Sequence, residues 1–109
     1  MRKQSVVFAL LAVLLPASSY AQRTTATVRG TVRDSTQAVL PGATVTVVNQ
    51  DTGLTRATVT NSVGAYVAAE LPIGRYKITA ELQGFKTATR TDVILKVADD
   101  LGLDFELSA

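Results

Sequence analysis

The sequence contains no cysteine, no histidine and no tryptophan among its 109 residues. Without histidine and cysteine, the chain has neither a histidine-based catalytic triad nor a thiol nucleophile, and it lacks the usual zinc ligands. Disulfides are also excluded, so a small domain must be held together by its apolar core. The carboxylates of Asp51, Asp99 and Asp100 fit turns better than a calcium loop or a catalytic pair. We therefore predict no enzyme activity, no cofactor and no metal site.

The first 21 residues have the pattern of a secretory signal peptide. Two basic residues are followed by an uncharged apolar run from Val6 to Leu15, and small residues lead up to Ala21. The run is well short of the ~20 residues that a helix needs to cross a bilayer. We therefore expect a signal-peptide helix over residues 1–21, cleavage between Ala21 and Gln22, and one exported domain over residues 22–109.

The charge balance does not favour nucleic acid or an anionic membrane as a partner. The whole chain carries a formal charge of +2, with 11 basic and 9 acidic residues. Removal of the signal peptide takes away Arg2 and Lys3, so 9 basic residues remain against 9 acidic ones. Both kinds of partner need a net basic face, which a neutral domain does not supply.

Apolar and polar residues alternate with a period of two along most of residues 22–109, and β-branched residues dominate. The clearest alternation runs from Arg75 to Leu82. About seven such segments, joined by turns rich in Gly, Pro and Asn, predict an all-β fold, a seven-stranded antiparallel β-sandwich. The expected core consists of the apolar residues in phase, namely Val28, Val32, Val45, Val47, Val59, Tyr66, Tyr76, Ile78, Leu82, Val93, Leu95, Leu103, Phe105 and Leu107.

The segment NSVGAYVAAELPIGRY, residues 61–76, has two similar halves. In each half a glycine, which tolerates the positive φ of a tight turn, stands two residues before a tyrosine. We expect the strands that contain Tyr66 and Tyr76 to form an antiparallel pair. Pro72 has no N–H for a ladder, so we place it in the connection.

Six short motifs follow one another in the order GTVRD, LPGATV, TG, TNSVGAY, LPIGRY and GF. In this order they resemble the motifs of the carboxypeptidase regulatory-like domain, a transthyretin-like sandwich of seven strands. The resemblance covers nearly all of residues 22–109 and implies structural roles for the matching positions. These positions are Gly30, Asp34, Pro41, Gly42, Gly53, Gly64, Tyr66, Gly74, Tyr76, Gly84 and Phe85.

The last segment, VILKVADDLGLDFELSA, resembles the end of this domain in certain bacterial TonB-dependent outer-membrane transporters. There the domain follows a signal peptide and precedes a plug and a β-barrel. The resemblance implies export in a Gram-negative-type bacterium, to the periplasm, the outer membrane or the medium, with membrane contact only through a C-terminal barrel. The sequence ends at Ala109, where the plug would begin, so we consider both a free-standing domain and part of a transporter.

Three functions are compatible with the sequence. The first is a non-catalytic interaction or scaffold module, the second a carbohydrate-binding module similar to starch-binding-like domains, and the third an accessory domain of a zinc carboxypeptidase. In the third case the resemblance places the zinc ligands in the neighbouring domain. Sugar-binding surfaces commonly use exposed aromatic rings, whereas Tyr66 and Tyr76 are in phase with the predicted core. The interaction module is therefore our first hypothesis.

We expect a protein partner to bind at a sheet edge. Leu54–Thr60 and Phe85–Thr91 are threonine-rich and typical of edge strands. Such a strand has unpaired N–H and C=O groups that another chain can complete by β-augmentation. On this interpretation Thr58 and Thr89 supply outward-facing donors. The alternative is that basic residues prevent pairing at these edges, namely Arg56 in the first segment and Lys86 and Arg90 in the second.

Overall fold

A computed structural model describes residues 24–109; the predicted signal peptide and its cleavage site between Ala21 and Gln22 lie outside the described residues. This part of the chain forms eight strands: β1 (Thr25–Asp34), β2 (Thr44–Asn49), β3 (Thr55–Val59), β4 (Ala65–Pro72), β5 (Gly74–Glu81), β6 (Ala88–Leu95), β7 (Asp100–Gly102) and β8 (Phe105–Leu107). Within residues 24–109 there is no helix long and apolar enough to span a membrane.

The strands form two sheets that pack against each other. One sheet has the order β4-β1-β7, with β8 also paired to β1, and the other has the order β3-β2-β5-β6. The predicted all-β sandwich is confirmed. Strands β7 and β8 are two halves of the predicted seventh strand, because both keep the same register with β1. They run parallel to β1 rather than antiparallel, since the chain reaches them from β6 in the opposite sheet instead of through a hairpin.

The strands that contain the two tyrosines do not pair with each other, so the predicted antiparallel pair is wrong. Strand β4 pairs with β1, whereas β5 pairs with β2 and β6. Ile73 alone separates them, and Gly74, at a φ of 148°, lets the chain pass from one sheet to the other. Pro72 is the last residue of β4 rather than part of a longer connection. It lies on an edge strand, where a missing N–H breaks no ladder bond.

The core between the sheets contains most of the predicted residues. Leu82, Val93 and Leu103 are partly buried and pack against it. Val59 is the exception, at 59% exposed. Its side chain points away from the core, because Arg56 and Thr58 are the residues that stand opposite the buried Val47 and Val45 of β2. The prediction omitted six buried apolar residues, of which four are alanines: Ala26, Leu40, Ala43, Ala68, Leu71 and Ala80.

Candidate functional site

The family-motif positions form turns, strands and core within the described residues. Five lie in strands, namely Gly30, Asp34, Tyr66, Gly74 and Tyr76, and six lie in turns and loops, namely Pro41, Gly42, Gly53, Gly64, Gly84 and Phe85. Residues 24–109 contain no cluster of three or more Asp, Glu, His or Cys side chains that could hold a metal ion. The motif positions therefore do not converge on a chemical site.

Gly30 lies where three strands meet and has a clear packing role. Tyr66 of β4 is paired with Gly30 of β1, and its hydroxyl donates to the carbonyl of Leu103, between β7 and β8. The phenol side chain therefore crosses β1 at Gly30. A Cβ at this position would lie 1.9 Å from the Leu103 oxygen. Only glycine at position 30 lets the Leu103 carbonyl lie this close to β1.

The same contact explains why the last strand is split into β7 and β8. The Leu103 carbonyl accepts from Tyr66, and the N–H of Thr31 in β1 instead donates to Oδ1 of Asp104 at 2.8 Å. Burial, with a smaller effect from the Asp104 carboxylate, raises the pKa of Tyr66, so the phenol stays protonated and remains a donor. Tyr66 is therefore a structural tie between the strands of the first sheet.

Tyr76 is fully buried, and its hydroxyl donates to the carbonyl of Pro72. Tyr66 is only 2% exposed. Both rings therefore lie in the core, as the sequence predicted, and neither presents a face on which a sugar could stack.

Asp34 closes the turn after β1. Its Oδ1 accepts hydrogen bonds from the hydroxyl and N–H of Thr36 and from the N–H of Ala38, at 2.6–3.0 Å. These bonds, that of the Thr36 hydroxyl foremost, hold the pKa of Asp34 below its usual value. This carboxylate therefore also has a structural role.

Strand β4 forms one edge of the first sheet, and its first outward-facing residue is already paired. Val32 N–H donates to the Gly64 carbonyl at 2.8 Å, so Ala65, the next residue, points its backbone groups away from β1. Asn61 forms hydrogen bonds with both of these backbone groups. Its N–H donates to the Ala65 carbonyl at 2.9 Å, and its Oδ1 accepts from the Ala65 N–H at 3.0 Å. The turn in which the Asn61 Oδ1 accepts from the N–H groups of Val63 and Ala65 thus also closes the start of this edge.

The far half of β4 is closed by a β-bulge and by a side chain from the other sheet. The register with β1 shifts between Ala26 and Val28, and Glu70 has a φ of 56°. Arg56 of β3 donates from Nη1 to the carbonyls of Ala69 and Glu70, each at 3.3 Å. On the alternative considered from the sequence, Arg56 protects its own strand, but the structure directs its guanidinium to β4.

Strand β6 forms an edge of the second sheet, as predicted, and a bulge interrupts it. The register with β5 shifts between Tyr76 and Ile78, and Asp92 has a φ of 55°. Asp92 N–H donates to the side chain of Gln50 at 3.2 Å. Arg90 places its guanidinium 5.7 Å from the ring centroid of Phe105 in the other sheet. An incoming strand would have to follow a bent and partly covered edge.

Strands β7 and β8 form the remaining edge of the first sheet. Leu103 N–H donates to the Arg29 carbonyl. The backbone N–H and C=O groups of odd-numbered residues here therefore face β1, and those of even-numbered residues face away from the sheet. Three of the even-numbered positions are acidic, namely Asp100, Asp104 and Glu106, although Asp104 turns its carboxylate back to the Thr31 N–H and Asp100 forms an ion pair with Arg29 at 2.7 Å. Charged side chains on short edge strands discourage pairing with another chain.

Strand β3 differs from the other three edges. Asn49 N–H donates to the Leu54 carbonyl at 2.8 Å, and Thr60 N–H donates to the Ala43 carbonyl at 2.9 Å. Even-numbered residues of β3 therefore bond to β2, and the backbone groups of Thr55, Ala57 and Val59 face outward. The register with β2 has no shift. Among residues 24–109, these three outward-facing residues have no strand beside them.

This geometry corrects one of the two predicted outward donors. Thr58 pairs with Val45 and directs its N–H to β2. Thr89 stands between Ala88 and Arg90, which bond to β5, so its N–H does face outward. Sequence alone could identify an edge strand but could not say which alternate residues face away from the sheet.

Solved structures with the same fold come from proteins of different activities. The chain matches the Bacillus anthracis TIE protein with a TM-score of 0.65 and 18% identity, over 78% of this chain and 16% of that one. It matches chlorocatechol 1,2-dioxygenase from Pseudomonas putida with a TM-score of 0.64 and 17% identity, over 81% and 61%. It matches a putative carbohydrate binding protein from Bacteroides uniformis with a TM-score of 0.62 and 19% identity, over 76% of this chain and 41% of that one. At these identities the likeness shows the fold alone.

The chain spans less than two thirds of each of these neighbours. A search among curated proteins gave no significant match. The model of the carboxypeptidase regulatory-like domain, a family of non-catalytic modules, matches residues 27–108. The match starts within β1 and extends past β8, so it includes both sheets. The chain therefore belongs to the carboxypeptidase regulatory-like domain family.

Proposed function

We propose that the chain is a non-catalytic interaction module of an exported protein and that it binds protein through the edge of β3. The observation that carries this proposal is the contrast among the four edges. Bulges, acidic side chains or hydrogen-bonding side chains interrupt or partly cover three of them, whereas Thr55, Ala57 and Val59 present regular outward backbone groups. Backbone hydrogen bonds to such an edge provide affinity in β-augmentation.

As the wider context we propose the N-terminal domain of a TonB-dependent outer-membrane transporter, exported to the periplasm. The signal-peptide pattern of residues 1–21 and the resemblance of the final segment to such transporters support this. Reading the DNA downstream of the Ala109 codon tests it. A plug and barrel in the same frame would support the transporter, and a zinc-peptidase frame would instead support a carboxypeptidase accessory domain.

A carbohydrate-binding function has less support. Tyr66 and Tyr76 are buried, and the likeness to the Bacteroides uniformis protein shows only a common fold. Titration with soluble glycans, monitored by the amide resonances of residues 24–109, would test this alternative directly.

Site-specific photo-crosslinking in the exporting cell tests the docking edge. A photoreactive residue at Thr55 or Val59 is expected to capture protein, because both are exposed and adjoin the outward backbone groups. The same residue at Lys77, exposed on β5 in the middle of the second sheet, is the control. Replacing Ala57 with proline should abolish capture from the β3 positions, since it removes one outward N–H. Equal capture at Lys77 would contradict docking at β3.

A further inference from the structure

We infer that the strand that docks on β3 is β3 of a second copy of this chain, antiparallel about a two-fold axis at Ala57. The inference rests on the proposed function, in that β3 is the docking edge. It adds the identity of the partner. The argument follows from the spacing of the outward backbone groups, from the side chains beside them and from the position of Arg56.

The outward backbone groups of β3 are symmetric about Ala57. Thr55 and Val59 lie two residues before and two residues after it. In an antiparallel pair centred on Ala57, each Ala57 faces its own copy and each Thr55 faces Val59 of the other chain. Such pairs exchange both N–H···O bonds, so the interface would contain about six backbone hydrogen bonds. A two-fold axis requires this kind of self-complementary edge.

The side chains also suit pairing of β3 with itself. Directly opposite residues in a hydrogen-bonded pair have Cα atoms ~5.5 Å apart, and two alanine methyl groups fit easily at the axis. Thr55 and Val59 are both β-branched, and such residues pack well as cross-strand neighbours. Val59 is 59% exposed in the single chain and would lose part of this contact with water. Pairing thus accounts for an exposed valine.

Charge does not oppose the pairing. The three outward-facing residues are uncharged. Arg56 would stand opposite Thr58 of the second copy rather than opposite the other Arg56. Its guanidinium is already held on the carbonyls of Ala69 and Glu70 within its own chain. The edge therefore has none of the like-charge contacts that usually prevent self-association.

The expected dimer is weak. Five-residue strands bury less than the ~1,200 Å² or more of total surface that stable interfaces bury. We therefore expect dissociation constants on the order of 0.1–1 mM, within reach of sedimentation equilibrium and of concentration-dependent NMR spectra.

The test uses the chain as exported and charge reversal at the axis. Ala57→Lys and Ala57→Glu each place two like charges directly opposite each other, and both are expected to sediment as monomers at about 1 mM, where the wild type dimerises. An equimolar mixture of the two variants should dimerise, because a Lys then faces a Glu. Ala57 is exposed, so neither variant should change the melting temperature by more than ~2 °C. Thr89→Lys, on the outward positions of β6, is the matched control and should dimerise like the wild type.

Any of three results would overturn the inference. The first is a wild-type chain that stays monomeric at about 1 mM. The second is association that survives in both Ala57→Lys and Ala57→Glu, and the third is association that the mixture fails to restore after both variants have lost it. Failure of the proposed function looks different, because the photoreactive residue at Lys77 would then capture as much protein as those at Thr55 and Val59. Crosslinks from Thr55 and Val59 only to an unrelated protein would keep β3 as the docking edge while excluding the second copy as its partner.

Discussion

Replacement of Gly30 with alanine should be among the most damaging single-methyl changes in this domain. Gly30 has an ordinary strand conformation, so backbone strain is not the reason. The new Cβ would lie 1.9 Å from the Leu103 oxygen and 2.6 Å from the Leu103 carbonyl carbon. Both are backbone atoms, so no side-chain rotation relieves the contact.

The cost has two parts. Forcing a methyl group into a filled position typically destabilises a core by 1–3 kcal/mol, and displacing Leu103 also weakens the hydrogen bond from Tyr66, by about 1 kcal/mol. We therefore expect a loss of about 3 kcal/mol in the free energy of unfolding. For a domain of fewer than 100 residues this corresponds to a fall in melting temperature of roughly 12–24 °C, measured by circular dichroism.

Gly102→Ala is the matched control. Gly102 lies in β7 beside β1, and a Cβ there would have no atom within 4 Å. Alanine also restricts the unfolded chain, so this variant should be neutral or up to ~1 kcal/mol more stable. If the two alanine variants melt within ~2 °C of each other, the close approach of Leu103 to β1 is wrong.

Three further changes test the structural roles assigned above. Tyr66→Phe should cost about 1–2 kcal/mol, seen in urea unfolding, because the Leu103 carbonyl loses its donor; no change would show that the bond does not form. Tyr76→Ala should cost roughly 3–5 kcal/mol, since this ring is fully buried, and an unaltered melting temperature would mean that it is exposed. Asp34 has a lowered pKa in the folded state, so its stabilising effect is complete above the unfolded pKa of about 4 and is lost as the pH falls through the folded value. Asp34→Asn should therefore flatten the acid limb of stability against pH, and an identical limb in both proteins would contradict this.

Residue alternation predicted the strands well but not their neighbours. A period of two says which face a side chain occupies, and it placed Tyr66 and Tyr76 in the core correctly. It does not say which strand lies alongside. Ile73 is too short a link to be recognised as a crossing between sheets, so β4 and β5 were predicted to pair. The error for Val59 has another cause. Apolar and polar residues alternate only weakly in a threonine-rich strand, so the sequence does not say which of them face the core.

The protection of the edges was harder to predict. Glu70 and Asp92 adopt positive φ values without being glycine, so the sequence carries little signal for the two bulges. Arg56 was recognised as a basic edge residue, but its bonds to Ala69 and Glu70 join segments from different sheets. Gly30 did carry a signal, since a glycine inside a strand often marks a close backbone approach.

Amide hydrogen exchange along β3 is the most direct test of the central claim, that this strand presents an open edge. At a dilute, micromolar concentration where the chain is monomeric, the amides of Thr55, Ala57 and Val59 should exchange rapidly. Those of Arg56 and Thr58, which face β2, should be protected by orders of magnitude. Slow exchange at Thr55, Ala57 and Val59 under these dilute conditions, equal to that of Thr58, would contradict the open edge and with it the proposed function.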